Sequence, residues 1–256
     1  MARTILITGA SSGLGLDAAR QLQAQGAHVI TASRTPSPIG EHHHLDLANL
    51  ASIQAFADTI STRPIDCLIN NAGVLLPPPR LVHDSEVHLG INFLGHFALT
   101  KLLCESMPSL TRVVHITSMV AQFVRFKNRV ELKGMRAYAV SKLATLMFAL
   151  ELSERDPKRR HIVCHPGYTA TNIQANLRLG RLGNALLGQS VEQGVQSIIA
   201  AAEQDFSSGT FIGPKRLFEL RGEPEHLNPY ASALDRTARE ALWQMAESRL
   251  NLQFTL

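Results

Sequence analysis

Thr4-Ile-Leu-Ile-Thr8-Gly-Ala-Ser-Ser-Gly13-Leu-Gly15 opens the chain and decides how the rest is read. A short apolar, β-rich run ends in a loop with glycines at 9, 13 and 15, and an amphipathic stretch follows as far as Gln25-Gly26. Glycines permit a tight turn and close approach of backbone to a pyrophosphate, and the N-terminus of the following helix favours its negative charge. A glycine-rich loop alone is a weak signal, and this one is spaced G-x-x-x-G-x-G rather than G-x-G-x-x-G. Its position directly after a strand favours a nucleotide-binding turn over an ordinary strand–helix connection.

Further strand-like runs follow at Ala27–Ala32, Asp66–Asn70, Val113–Thr117 and His161–His165, and Phe211-Ile-Gly213 reads as the last strand. Helical patterns separate them, one near Leu50 to Ser61. Short apolar strands alternating with helices indicate βαβ units. The expectation is an α/β fold: one Rossmann-type, doubly wound parallel sheet with helices on both faces, forming a single domain over residues 1–256. There is no internal repeat or low-complexity segment, and Pro77-Pro-Pro79 reads as a stiff loop within the fold.

Composition narrows the function classes. With 45% hydrophobic and 18% charged residues, the 256-residue chain fits a globular protein. No run reaches the ~18 uncharged apolar residues of a membrane helix; the longest, Leu89 to Leu103, is interrupted by Gly90, Asn92, Gly95, His96 and Lys101. A strand beginning at Arg3 leaves no room for a signal peptide. Cys67, Cys104 and Cys164 are widely spaced and read as buried thiols of a reducing compartment, so a cytoplasmic location with no membrane partner is expected. The net charge of +4 is modest, and no nucleic-acid motif is present. Lys158-Arg159-Arg160 follows Asp156-Pro157, where helix-end cations are ordinary. His42-His-His44 does not suggest a metal site, because neighbours in a strand point to opposite faces; it reads as polar filler before the third strand.

Two features carry chemistry. At the end of the second strand an acidic residue would accept hydrogen bonds from the adenosine ribose of NAD; this chain has Ser33-Arg34. The Arg34 guanidinium suits a 2′-phosphate, which points to NADP, with NADPH preferred over NADH. Further on, Tyr138 and Lys142 are four residues apart and share one helical face. A lysine beneath a phenol favours its ionised form. Lowering a phenol pKa by about three units from ~10 requires roughly 4 kcal/mol.

Together these residues resemble the short-chain dehydrogenase/reductase family over almost the whole chain. The family's T-G-x-x-x-G-x-G loop is matched by Thr8 to Gly15, its Asn-Asn-Ala-Gly element by Asn70-Asn71-Ala72-Gly73, and its adenine-contacting pair by Asp46-Leu47. Pro166-Gly167 matches the Pro-Gly turn, with Thr171 at the threonine of P-G-x-x-x-T. The resemblance implies a catalytic set of Asn92, Ser118, Tyr138 and Lys142. It also implies cofactor contacts from Gly9, Ser11, Ser12, Gly13, Leu14, Gly15, Arg34, Asp46, Leu47, Asn71, Ala72, Gly73, Tyr138, Lys142, Pro166, Gly167 and Thr171. Asn92-Phe-Leu-Gly-His-Phe97 and Tyr138-Ala-Val-Ser-Lys142-Leu-Ala144 are most similar to the branch containing retinol dehydrogenases, the WW-domain oxidoreductase and protochlorophyllide reductase.

The implied reaction is hydride transfer between NADP(H) and a carbonyl or alcohol carbon of a small or lipophilic substrate. Tyr138 would exchange the proton, Ser118 hold the substrate oxygen, and Lys142 lower the Tyr138 pKa and hold the nicotinamide ribose. Asn92 would anchor a water linking the lysine to solvent. The alternative is a non-catalytic nucleotide sensor or scaffold on the same fold, whose signature would be loss of Tyr138 or Lys142.

Nineteen residues separate Ser118 from Tyr138, more than the family's main class, and the extra length falls in Gln122 to Met135. Its cations, Arg125, Lys127, Arg129 and Lys133, read as those of a solvated loop. Residues 172–189, apolar with Arg178 and Arg181, read as a substrate lid or a packing helix pair. Family members often form dimers or tetramers through the tyrosine helix, which Phe148-Ala-Leu150 would permit. His96, His115 and His165 read as structural histidines, and the stretch around Trp243 as a helix packed on the sheet.

Overall fold

The computed structural model describes residues 2–126, 132–168, 190–217 and 219–255. Among these residues ten strands are found: β1 (Thr4–Thr8), β2 (His28–Ser33), β3 (Glu41–His44), β4 (Cys67–Asn70), β5 (Leu81–Val82), β6 (Ser85–Glu86), β7 (Arg112–Ile116), β8 (Arg160–Cys164), β9 (Phe211–Arg216) and β10 (Arg221–Leu227). Eight of them form one sheet in the order β10-β9-β8-β7-β4-β1-β2-β3, and every pairing is parallel except β9–β10. β5 and β6 form a separate small hairpin.

The pleat explains why the inner strands read as unbroken apolar runs. Ile5 and Ile7 of β1 enter the core on one face of the sheet, and Leu6 enters the core on the other; Val113 and Val114 of β7 divide in the same way. Helices α1 (Gly13–Ala24), α5 (Val191–Gly194) and α6 (Gln196–Glu203) cover the Ile5 face. Helices α2 (Leu50–Ile60), α3 (His96–Ser106) and α4 (Gly134–Arg155) cover the Leu6 face.

Three sequence expectations are corrected. Phe211–Gly213 is not the last strand: β10 returns antiparallel beside it. Its sequence, Arg-Gly-Glu-Pro-Glu-His-Leu, suits a solvated edge that charges and proline protect from further pairing, so no apolar run marks it. His42–His44 is the third strand itself, on the opposite edge, where polar residues are tolerated. The Trp243 helix, α7 (Arg236–Leu250), packs on α3 and α4 and not on the sheet. Helix α4 is buried nearly all round and therefore needs a partner on its outer side as well. Trp243 and Phe254 supply it, packing on Phe97 and Phe148 at ring-centroid distances of 5.3–6.3 Å and on each other at 5.1 Å. Phe148 and Leu150 are buried within the chain.

Consecutive elements run from β1 outward to β3 and then from β4 outward to β10, so strand order reverses between β1 and β4. In open α/β sheets ligands bind beyond the carboxyl ends of the strands at such a switch. The segments following β1, β2, β4, β7 and β8 contain the glycine loop, Arg34, Asn71, Ser118 and Pro166, respectively.

Candidate active site

A cleft of about 420 Å³ occupies this switch point. It is lined by Gly9, Ser11, Ser12, Gly13, Leu14 and Gly15 at its centre, with Asn71, Ala72 and Gly73 beside them. Arg34, Asp46 and Leu47 lie among its lining residues at the carboxyl ends of β2 and β3, and Ser118, Tyr138, Lys142, Pro166 and Gly167 line it beyond β7 and β8. Asn92 stands behind the lining. Thr171, residues 172–189 and residues 127–131 of the insert lie outside the described residues.

The loop is shaped for close approach. Gly9 has φ +70°, and a side chain there would meet Ala72 at 2.7 Å. Gly13 has φ +58° with open space before it, and α1 begins there with no side-chain cap. The free amide groups of this helix end and the absence of an acidic residue in its first turn fit an anionic pyrophosphate. The donor set of the cleft thus fits a dinucleotide.

Thr8, buried at the end of β1, fixes the loop to its neighbours. Its Oγ1 accepts the Asn71 and Ala72 N–H groups, each at 3.0 Å. It also lies 3.0 Å from His96 Nε2, while His96 Nδ1 lies 3.1 Å from the Asn92 carbonyl. This network makes Nδ1–H the donor to Asn92 and leaves Nε2 to accept the Thr8 hydroxyl proton. Burial pushes the His96 pKa down to about 4, which keeps the ring neutral. His96 is structural, as expected, yet it joins the nucleotide loop to the segment bearing Asn92.

That segment, Leu89–Gly95, is a π-helical turn leading into α3. Asn92 Oδ1 accepts the Val74 N–H at 2.8 Å, and Nδ2 donates to the Val74 carbonyl at 3.1 Å and to Ser141 Oγ at 3.0 Å. Both amide protons are engaged by the protein, so the side chain braces Val74 against Ser141. Ser141 Oγ donates to the Tyr138 carbonyl at 2.7 Å, tying the brace to the tyrosine helix.

Lys142 does lie over the Tyr138 ring, with Nζ 5.9 Å from its centroid. The expected lowering of the phenol pKa is not produced by these groups. Burial pushes Tyr138 up to about 12, opposed only by a hydrogen bond from Ser118. Nζ donates to the Ile116 carbonyl at 2.9 Å, and burial pushes its own pKa down to about 8. Desolvation is the largest influence on both groups. Thr117 Oγ1 donates to the Lys142 carbonyl at 2.6 Å, securing the lysine to β7.

Several neighbours were not singled out from the sequence. Tyr168, Met119, Val120 and Met135 line the cleft, but as single residues without a motif they give no signal. His165, buried beside Glu219, accepts the Gly167 N–H at 3.1 Å and holds the Pro-Gly turn. Among the described residues no group of three or more His, Cys, Asp or Glu side chains is placed to hold a metal ion. No helix among them is long and apolar enough to cross a membrane.

Comparisons with known proteins agree with this geometry. A family model described as short chain dehydrogenase matches residues 3–181. Mouse (Mus musculus) polyprenol dehydrogenase is 32% identical over 281 residues, covering 94% of this chain and 82% of the relative. Mouse retinol dehydrogenase 12 is 31% identical over 288 residues, covering 98% and 87%. The crystal structure of an uncharacterized protein from Mycobacterium Paratuberculosis superposes with a TM-score of 0.82 at 35% identity, covering 99% of this chain and 95% of the other. A protein from Beutenbergia cavernae, described as an NAD(P)-dependent gluconate 5-dehydrogenase and containing NADP, gives a TM-score of 0.63 at 25% identity over 79% of this chain and 90% of its own.

Proposed function

The chain belongs to the short-chain dehydrogenase family of oxidoreductases, and from that premise we propose that it is an NADPH-dependent carbonyl reductase acting on a lipophilic aldehyde or ketone. One observation carries the reading: the cleft that joins Ser118, Tyr138 and Lys142 also contains Arg34 where a carboxylate would select NAD. The names of the relatives, polyprenol and retinol dehydrogenases, support a lipophilic substrate, as do the apolar lining residues Leu75, Met119, Val120 and Met135.

The dinucleotide supplies the hydride when bound. Tyr138, neutral at physiological pH with its pKa at about 12, is suited to donate a proton to a carbonyl oxygen as negative charge develops there. Ser118, already hydrogen-bonded to the phenol, orients the same oxygen. Lys142 places its ammonium under the ring and would hold the ribose hydroxyls. Arg34 offers a planar donor fork to the 2′-phosphate. Three buried free thiols suit a reducing cytoplasm.

The test is NADPH oxidation against a panel of aldehydes, ketones and quinones, with NADH and Tyr138→Phe in parallel. Turnover preferring NADPH, and lowered roughly 10²–10⁴-fold in the variant, is the expected result. Unchanged turnover in Tyr138→Phe would refute its role, and failure of either nucleotide to bind would refute the whole reading.

A further inference from the structure

His88 and Asn92 are four residues apart, at the entry to the π-helical turn and within it, and so share a face. Both grip one short segment, Val74–Leu76. Asn92 holds both backbone groups of Val74. His88 Nε2 accepts the Leu76 N–H at 3.1 Å. Between these two holds lies Leu75, which with Val74 lines the cleft that Tyr138 and Met135 also line.

The histidine is itself held in place. Glu86 Oε1 lies 2.7 Å from His88 Nδ1, and Oε2 accepts the His88 N–H at 2.9 Å. A carboxylate on Nδ1 fixes the proton there and leaves Nε2 as an acceptor. The ring is buried and meets the Tyr138 ring edge-on, with centroids 6.1 Å apart and an interplanar angle of 69°. Leu76 has φ +51°, a left-handed conformation that a leucine keeps only where its surroundings impose it. Release of the Leu76 amide would therefore let the turn relax and carry Leu75 with it.

We propose that His88, oriented by Glu86, is a positioning residue for substrate: it fixes Leu75 in the wall of the site beside Tyr138 and thereby sets affinity for the apolar part of the carbonyl substrate. This rests on the carbonyl-reductase reading. The Leu76 N–H is held by His88 and not by the glycine loop, so dinucleotide affinity is expected to change little.

The experiment compares wild type, His88→Leu and His88→Gln, with octanal as substrate. It measures kcat and KM for octanal, the NADPH dissociation constant, and hydrogen exchange of the Leu76 amide. Glutamine retains an acceptor near the position of Nε2. His88→Leu is expected to raise the octanal KM about tenfold, the worth of one lost hydrogen bond. It should leave kcat and NADPH affinity near wild type and expose the Leu76 amide to exchange; His88→Gln should restore both KM and protection. Wild-type KM or wild-type Leu76 protection in His88→Leu would overturn the proposal. So would parallel loss of KM, kcat and NADPH affinity with no rescue by glutamine, which would mark a residue needed only for folding. If wild type turns over no carbonyl compound, the carbonyl-reductase reading falls, and with it the substrate role. The exchange measurement then still decides whether His88 anchors Leu76.

Discussion

Replacing Thr8 by valine keeps the volume of a buried side chain and removes only its hydroxyl. That oxygen accepts two backbone N–H groups and gives its proton to His96. The Asn71 N–H retains the Ile69 carbonyl at 3.0 Å, so the variant deprives two groups of their partners: the Ala72 N–H and His96 Nε2. An unsatisfied buried polar group costs about 1–3 kcal/mol, giving about 3 kcal/mol in total with no cavity contribution. For a domain of this size each kcal/mol moves the midpoint by about 2–4 °C, so Tm should fall by about 6–12 °C. Urea unfolding followed by circular dichroism measures the change. Thr8→Ser keeps the hydroxyl, loses one methyl group, and should cost about 1 kcal/mol. In a His96→Leu background the penalty of Thr8→Val should shrink by about half, because the imidazole no longer waits for a proton. A Thr8→Val cost below about 1 kcal/mol, or a serine variant as unstable as the valine variant, would refute the hub.

Three further outcomes are expected. Arg34→Asp should weaken NADPH binding about 10–100-fold, the worth of charge-assisted hydrogen bonds to a phosphate, and spare or improve NADH binding; fluorescence titration of both nucleotides decides. Burial opposes ionisation of Asp156, yet hydrogen bonds from His161 and Arg159 hold its carboxyl down at about 2, below the ordinary 3.8. A pKa depressed by folding stabilises above the ordinary value and ceases to as pH falls through the folded one. Stability of order 2 kcal/mol should therefore be lost between about pH 4 and pH 2, and Asp156→Asn should flatten that part of the urea-midpoint curve. In the unliganded protein, ultraviolet titration against Tyr138→Phe should reveal no phenolate from Tyr138 below about pH 11; ionisation near neutrality would show that Lys142 overcomes burial after all.

Much of the architecture was legible because it is encoded locally. Each inner strand buries both faces and so appears as an apolar run, and the loop from Gly9 to Gly15 carries its own turn chemistry. The four-residue spacing of Tyr138 and Lys142 sets a shared helical face wherever the helix lies. Edge strands β3 and β10 were missed or misplaced because solvated edges need no apolar signature. Arg159, read as a helix-end cation, is buried against Asp156 and the Cys104 carbonyl, an arrangement that depends on where β8 and α3 meet.

The sequence by itself determined the glycine loop, Asn71–Gly73, Ser118 and Pro166-Gly167, since each sits in a short motif at the carboxyl end of a strand, and the shared helical face of Tyr138 and Lys142. Only the tertiary structure decided their protonation and what holds them. Desolvation of Tyr138 and Lys142 depends on everything packed around them. The Thr8–His96 and Asn92–Ser141 bonds join residues 88 and 49 positions apart, and local spacing carries no information about contacts at that range.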